Sequence, residues 1–263
     1  MTKLIVSDID GTLLPYGETV LSPRLFGQIR RLRERGILFC PASGRQYHSL
    51  RLLFAPVADE ICYVCENGAV LFGAGPEEGA PLLAKTVLPR DDALALSHAI
   101  MDLPACYVLI SGENTSYVCR CPEKLVEGMR ASLGNRMVRV ERPEDIREEI
   151  VKVSLFCTEG LEAPAAALGP RWGDAYHMAV AGRAWLDFTL SDKGKGLRAL
   201  CAALGVDLAD TMAFGDNWND VPMLDLAGAA YLMEGADPVL RERYPRRCAN
   251  VMDALEALLA EDR

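Results

Sequence analysis

Four carboxylates, one lysine and two hydroxyls stand in this 263-residue chain at spacings that suit chemistry on a phosphate anion. Asp8 and Asp10 fall in Asp8-Ile9-Asp10-Gly11-Thr12, and Asp216 and Asp220 in Gly215-Asp216-Asn217-Trp218-Asn219-Asp220; Ser43 and Lys193 lie between them. Carboxylate oxygens are the ligands that a hard divalent cation prefers. An ammonium, hydroxyls and the N–H groups of glycine turns can hold phosphoryl oxygens. A carboxylate approaching a phosphate dianion is repelled, so a set this acidic calls for cations beside it.

Elements must bring these residues together. Leu4-Ile5-Val6 is a continuous apolar run, the pattern of a strand buried on both faces of a parallel sheet, and it runs straight into Asp8. Ser22-Pro23 reads as a helix N-cap with Pro at the first helical position; Leu25, Ile29 and Leu32 follow at helical spacing, and Gly36 stops the helix. A strand over Ile37–Cys40 ends at Pro41-Ala42-Ser43-Gly44-Arg45. A helix bearing Leu50, Leu53 and Phe54 comes next, then a strand over Ile61–Cys65 and the turn Glu66-Asn67-Gly68. This alternation predicts a right-handed α/β sheet.

The pattern changes after the Gly/Pro-rich stretch Gly73–Pro81, which reads as a loop. The next hundred or so residues mix helices over Asp91–Met101 and Pro122–Leu133 with strands over Tyr107–Ile110, Val151–Phe156, Ala175–Val180 and Ala184–Thr189. From Lys193 the first rhythm resumes: a helix over Gly194–Leu204, a strand over Thr211–Phe214, a helix after Asp220, a strand over Ala229–Leu232 and a last helix around Met252–Leu259. The expected fold is therefore α/β, a Rossmann-like parallel-sheet core over 1–82 and 189–263 with an α+β cap inserted at 83–188. Three of the four polar clusters sit just past the carboxyl end of an expected strand, and Lys193 opens a helix pointing at the same edge. Such edges, and clefts between domains, are where ligands bind.

Composition narrows the partners. With 37 acidic residues against 28 Lys+Arg, the formal charge is -9. That sign repels nucleic-acid phosphates and anionic headgroups, so neither nucleic acid nor a membrane surface is an expected partner. No apolar run approaches the roughly 20 residues of a membrane span, and the start lacks the core of a signal peptide. Nine cysteines suggest metal or disulfide chemistry, yet Cys62 and Cys65 point to opposite faces of a strand. Cys119 and Cys121, expected to share a face, make no second knuckle at zinc spacing. Free thiols in a reducing cytoplasm are expected.

The motifs in order, Asp8-Ile9-Asp10-Gly11-Thr12-Leu13, Ala42-Ser43-Gly44-Arg45, Glu66-Asn67-Gly68-Ala69, Lys193-Gly194-x-x-Leu197 and Gly215-Asp216-x-x-Asn219-Asp220, resemble those of the haloacid dehalogenase superfamily. The resemblance is closest to its Cof-type phosphatases with a type IIB cap, and it covers nearly the whole chain. It implies Mg²⁺-dependent hydrolysis of a small phosphorylated metabolite, with a sugar phosphate favoured, through a phospho-aspartate on Asp8. It further implies Mg²⁺ held by the carboxylates of Asp8 and Asp216 and the backbone carbonyl of Asp10. The side chain of Asp10 would be the general acid and base. Lys193 would place a point charge beside nucleophile and phosphate. Thr12, Ser43, Gly44 and Asn219 would bind the phosphoryl group, Asn219 also fixing its loop, and Asp220 would orient Lys193 or a metal-bound water. Where the family carries Asn-Ala after the last core strand, this chain has Glu234-Gly235-Ala236, which removes an amide near that loop.

Plainer readings stand beside these. Ser43 is also a candidate helix cap and Asp220 another, and Lys195 rivals Lys193. Glu66 and Asn67 suit a turn as well as a site. Trp218 could pack at a domain interface or anchor its own loop. Arg45, Arg120, His177 and Arg183 are polar candidates for substrate recognition. A phosphomutase, or a non-catalytic sensor of a phosphorylated metabolite, would carry many of the same residues.

Overall fold

A computed structural model describes residues 1–181 and 183–261. In chain order the regular elements begin with β1 (Leu4–Ser7), α1 (Pro23–Glu34), β2 (Leu38–Pro41), α2 (Tyr47–Leu53), β3 (Tyr63–Cys65), β4 (Val70–Phe72) and β5 (Leu82–Lys85). There follow α3 (Arg90–Met101), β6 (Cys106–Ser111), β7 (Ser116–Cys119), α4 (Glu123–Leu133), β8 (Met137–Val140), β9 (Lys152–Cys157), α5 (Glu162–Leu168), β10 (Ala179–Val180) and β11 (Trp185–Phe188). The chain ends with α6 (Lys193–Leu204), β12 (Thr211–Gly215), α7 (Val221–Leu224), β13 (Ala229–Met233), α8 (Pro238–Arg243), β14 (Arg247–Cys248) and α9 (Val251–Glu261).

These elements form two compact units, one of Met1–Ser43, Leu50–Ala84 and Asp192–Arg263, the other of Gly44–Ser49 and Lys85–Ser191. The first carries a five-stranded sheet in the order β14-β13-β12-β1-β2, every neighbouring pair parallel. Its two middle strands are fully buried apolar runs, Leu4-Ile5-Val6 against Met212-Ala213-Phe214, as expected of a sheet covered on both faces. The chain leaves β1 toward β2 on one side and β12 toward β13 on the other, so their shared carboxyl end is a topological switch point. β3 joins this edge by a single bridge, Ala42 to Val64, and otherwise pairs with β4 in a small sheet completed by β5.

The second unit holds a six-stranded sheet, β10-β11-β9-β6-β7-β8, mostly antiparallel. One of its faces joins Val108, Ile110, Val153, Leu155, Leu186 and Phe188 to residues of α3 and α5. The other joins Leu109 and Val118 to Val126 and Met129 of α4.

Several expectations need correction. The segment Ala175–Val180 is not a strand: residues 174–177 form a turn after an irregular helix, and only Ala179–Val180 pair. His177 has φ 40°, which no strand accommodates. Cys119 and Cys121 do not share a face, because Arg120 between them is left-handed (φ 46°) and sends them into different apolar clusters. All nine cysteines are free thiols, eight of them buried.

Candidate active site

At the switch point Asp8 follows β1, with its N–H donating to the Phe214 carbonyl at 3.0 Å, and Asp216 follows β12. The loop after Asp8 turns at once. Leu14 and Thr12 N–H groups both donate to the Ile9 carbonyl, and Gly11 N–H to Leu14 O. Gly11 has φ +96°, and a Cβ there would collide with the Asp216 carboxylate; a side chain would both strain this turn and fill the site. Thr12 Oγ1 donates to Asp216 Oδ1 at 3.2 Å.

Lys193 is the first residue of α6, capped by Asp192, whose carboxylate accepts from Lys195 N–H. Gly194 lets that helix approach closely, since a Cβ there would lie 2.5 Å from the Pro222 carbonyl oxygen. Lys193 Nζ, 1 % exposed, donates to Asp8 Oδ1 and to Asp220 Oδ1, both at 2.5 Å. Lys195 is exposed, so geometry separates the two lysines that sequence left as rivals. Asp220 stands at the N-cap of α7 but makes no cap hydrogen bond there; its Oδ2 accepts from the N–H groups of Asp216 and Asn217. One carboxylate thus ties the lysine to the Asp216 loop.

The carboxylates of Asp8, Asp216 and Asp220 lie within 4.8 Å of one another, all buried. Among the described residues one buried ammonium, that of Lys193, accompanies them, so the cluster carries surplus negative charge. Burial pushes the Asp8 carboxyl up to about 8, with Asp220 adding to the rise and Lys193 opposing it. Burial also raises Asp216, against the hydrogen bonds from Tyr16 and Thr12. For Lys193 burial alone would lower the ammonium, but Asp220 and Asp8 outweigh it and the net direction is up. A divalent cation is what such a donor set lacks. Hard oxygen donors with unbalanced charge fit Mg²⁺.

The other expected site residues are spread around this cluster. Asp10 is exposed in the tight turn after Asp8. Ser43 is buried; its N–H donates to Val64 O, and its carbonyl accepts from Asn67 N–H at 2.9 Å. Glu66, Asn67 and Gly68 all have positive φ, and through that Asn67 bond their strained turn holds the Ser43 backbone. Gly44 belongs to the second unit. Asn219 and Trp218 are exposed in the short helical turn that ends at Asp220. Arg120, His177 and Arg183 are exposed on three separate segments of the second unit.

Sequence reasoning missed Tyr16. Its hydroxyl donates to Asp216 Oδ2 at 2.8 Å, and with Gly11, Thr12, Asp216, Gly235 and Asn250 it lines a cleft of about 310 Å³. Pro15-Tyr16-Gly17 reads only as a turn in the sequence. Nothing in its spacing marks a partner two hundred residues away.

With fold and site in view, comparison with known proteins is direct. A sequence profile of haloacid dehalogenase-like hydrolases matches residues 5–250; the chain belongs to this family. It is 27 % identical over 268 residues to the 5-amino-6-(5-phospho-D-ribitylamino)uracil phosphatase YbjI of Escherichia coli, covering 99 % of this chain and 97 % of the relative. It is 27 % identical over 256 residues to the HMP-PP phosphatase of Escherichia fergusonii, covering 93 % and 89 %. A haloacid dehalogenase subclass IIB sugar phosphatase of known structure shares the fold with a TM-score of 0.78 at 21 % identity, covering 98 % of this chain and 99 % of that one. A phosphatase is the enzyme class these relationships support. Among the described residues no helix is long and apolar enough to cross a membrane.

Proposed function

We propose that the protein is a Mg²⁺-dependent cytoplasmic phosphatase that hydrolyses a small phosphomonoester through a phospho-aspartate on Asp8. One observation carries the reading: a buried Asp8, tied at 2.5 Å to Lys193, stands among surplus carboxylates at the switch point of a parallel sheet. The carboxylates of Asp8 and Asp216, with the Asp10 backbone carbonyl, would hold Mg²⁺, whose charge would offset the repulsion between carboxylate and phosphate dianion. Lys193 holds Asp8 in one orientation for in-line attack on phosphorus, and its ammonium stays charged between two carboxylates. The Asp10 carboxyl protonates the departing alkoxide and then takes a proton from the water that cleaves the acyl phosphate. Thr12, Ser43, Gly44 and Asn219 hold the phosphoryl oxygens, and Asp220 keeps Lys193 in place.

The inserted unit is the natural source of substrate selectivity. The compound in one relative's name, 5-amino-6-(5-phospho-D-ribitylamino)uracil, bears its phosphate on a sugar-derived ribityl chain, which supports a sugar or polyol phosphate here. The first test is hydrolysis of p-nitrophenyl phosphate by purified protein. Turnover should require Mg²⁺, vanish with EDTA and return when Mg²⁺ is restored. Full activity after thorough chelation would end this mechanism, and no activity under any condition would leave a sensor. A screen of phosphorylated metabolites then ranks substrates.

A further inference from the structure

The two central strands of the six-stranded sheet, β6 and β9, bring a pair of cysteines face to face. In their antiparallel register Cys106, the first residue of β6, stands directly opposite Cys157, the last of β9. Residues so placed share a face of the sheet, and both thiols lie in the apolar cluster formed with α3 and α5. The backbone shows which kind of pair this is. Cys106 N–H donates to the Leu103 carbonyl and Cys157 N–H to that of Ala184, so neither is spent on the other residue. The ladder bond runs one residue further out, from Thr158 N–H to the Ala105 carbonyl at 3.2 Å. Cys106 and Cys157 are therefore a non-hydrogen-bonded pair, the kind whose Cα atoms come within about 4.5 Å and whose side chains are closest. A disulfide spans Cα separations of about 4.4–6.8 Å. The two thiols are already hydrogen-bonded to each other. Cys119 and Cys121, near in sequence, sit in different apolar clusters and have no such placement.

The pair lies at the end of both strands. The chain emerges there to exposed Pro104 on one side and to exposed Thr158, Glu159 and Gly160 on the other. Strand ends open at less cost than strand middles, and Cys106 is the more exposed of the two, at 7 % against 3 %. Burial and the Cys157 thiol push Cys106 up to about 12. At neutral pH the pair accordingly rests as a dithiol and exchanges slowly.

We propose that Cys106 and Cys157 are a site of reversible disulfide formation, which takes a low-molecular-weight disulfide as oxidant and closes a covalent staple across the centre of the inserted sheet. The Cys106 thiol gives its proton to water and attacks one sulfur of the oxidant. That S–S bond breaks, and one half leaves as a thiolate that takes up a proton. Cys157, deprotonated in turn, attacks the Cys106 sulfur of the mixed disulfide and expels the other half. Two protein thiols are oxidised and one disulfide is reduced to two thiols. Cys157 is held against Cys106, so this second step is intramolecular and the mixed disulfide does not accumulate. The staple ties together the ends of the segment that carries β7, α4 and β8, and it lies wholly within the second unit. The proposal does not depend on the phosphatase reading.

Oxidised glutathione is the probe, incubated for hours with the native protein. The mass should fall by two hydrogens with no glutathione retained, and peptide mapping without reduction should show Cys106 joined to Cys157. Dithiothreitol should return the original mass. The oxidised protein should melt about 5–10 °C higher than the reduced one, as a cross-link that closes a long loop implies. Cys157→Ser should trap glutathione on Cys106, because the resolving thiol is gone, whereas Cys106→Ser should stay unmodified. A glutathione adduct that persists on the native protein, a disulfide between other cysteines, or thiols at 106 and 157 left untouched would overturn the site. So would an oxidised protein that melts no higher, since a link made only by distorting the strands would not stabilise them. If the serine variants do not fold, mapping of the unaltered protein decides the matter alone.

Discussion

Two buried lysine–aspartate pairs among the described residues are built differently. In the first unit Lys193 meets Asp8 and Asp220 at 2.5 Å, with Asp216 close by, so three carboxylates share one ammonium. In the second unit Lys152 is paired with Asp187 at 3.4 Å; its ammonium also donates to the Gly44 carbonyl, and Asp187 accepts from the Ser154 hydroxyl. The second pair is hydrogen-bonded on both sides. The first carries a surplus of negative charge, and burial lifts Asp8 far above the usual carboxylate range. A fold tolerates such a surplus of buried charge where function requires it.

Removing one carboxylate from each pair is the strongest way to break this contrast. Asp8→Asn keeps an oxygen to accept from Lys193 but has no nucleophilic carboxylate; turnover should fall by about 10⁴-fold or more. Its melting temperature without Mg²⁺ should equal or exceed that of the wild type, because a repelling charge has gone. Asp187→Asn removes a buried carboxylate paired with the Lys152 ammonium and should destabilise the fold in denaturant unfolding, by about 1–3 kcal/mol. If Asp8→Asn destabilised the fold and Asp187→Asn did not, the contrast between the two pairs would be reversed.

A smaller effect separates roles within the first cluster. Asp10 is asked to work through two different atoms, a backbone carbonyl toward the metal and a carboxyl toward the proton. Asn retains the first and cannot exchange a proton at neutral pH. Asp10→Asn should therefore bind Mg²⁺ as the wild type does, measured by calorimetry, while hydrolysis of an alkyl phosphate falls by roughly 10²–10⁴. The loss should be milder with p-nitrophenyl phosphate, whose leaving group needs little protonation. Near-normal turnover of the alkyl ester would remove Asp10 from acid–base work.

The same contrast explains what sequence could reveal. β1 and β12 are unbroken apolar runs that end in clustered aspartates, so both strands and the edge they share were legible. The inserted α+β unit was legible from the change in rhythm, whereas the order of the strands comes only from the structure. The second unit's detail was not. β7 and β8 are four residues each, β8 half-exposed, and α5 is an alanine-rich stretch interrupted by Pro164; none has a strong period. β4 and β5 were hidden because they pair across a Gly/Pro loop that looked like a linker. Lys152 and Asp187 read as ordinary polar positions of strands. Their partners are set by tertiary register, Ser154 opposite Asp187 and Lys152 opposite Ser111, which no local pattern encodes.

Tyr16 offers the finest test of the acidic cluster. The residue is 75 % exposed, yet its hydroxyl reaches Asp216 Oδ2, while Thr12 holds Oδ1. Two donors thus orient the carboxylate and favour its ionised form against the burial that opposes it. Tyr16→Phe deletes one donor and leaves the ring to cover Gly11. A single hydrogen bond at a half-open site contributes about 0.5–1.5 kcal/mol, so Mg²⁺ should bind roughly two- to ten-fold more weakly to the substrate-free protein in a calorimetric titration. Thr12 still orients Asp216, which is why the expected loss is small and why Tyr16→Phe should retain most of its turnover once Mg²⁺ is saturating. A deficit that excess Mg²⁺ failed to relieve would place Tyr16 at the substrate instead. Unaltered Mg²⁺ affinity would mean that the phenol merely rests on a carboxylate already held by its own loop, and the surplus charge of the cluster would then be managed by Thr12, Lys193 and the metal without it.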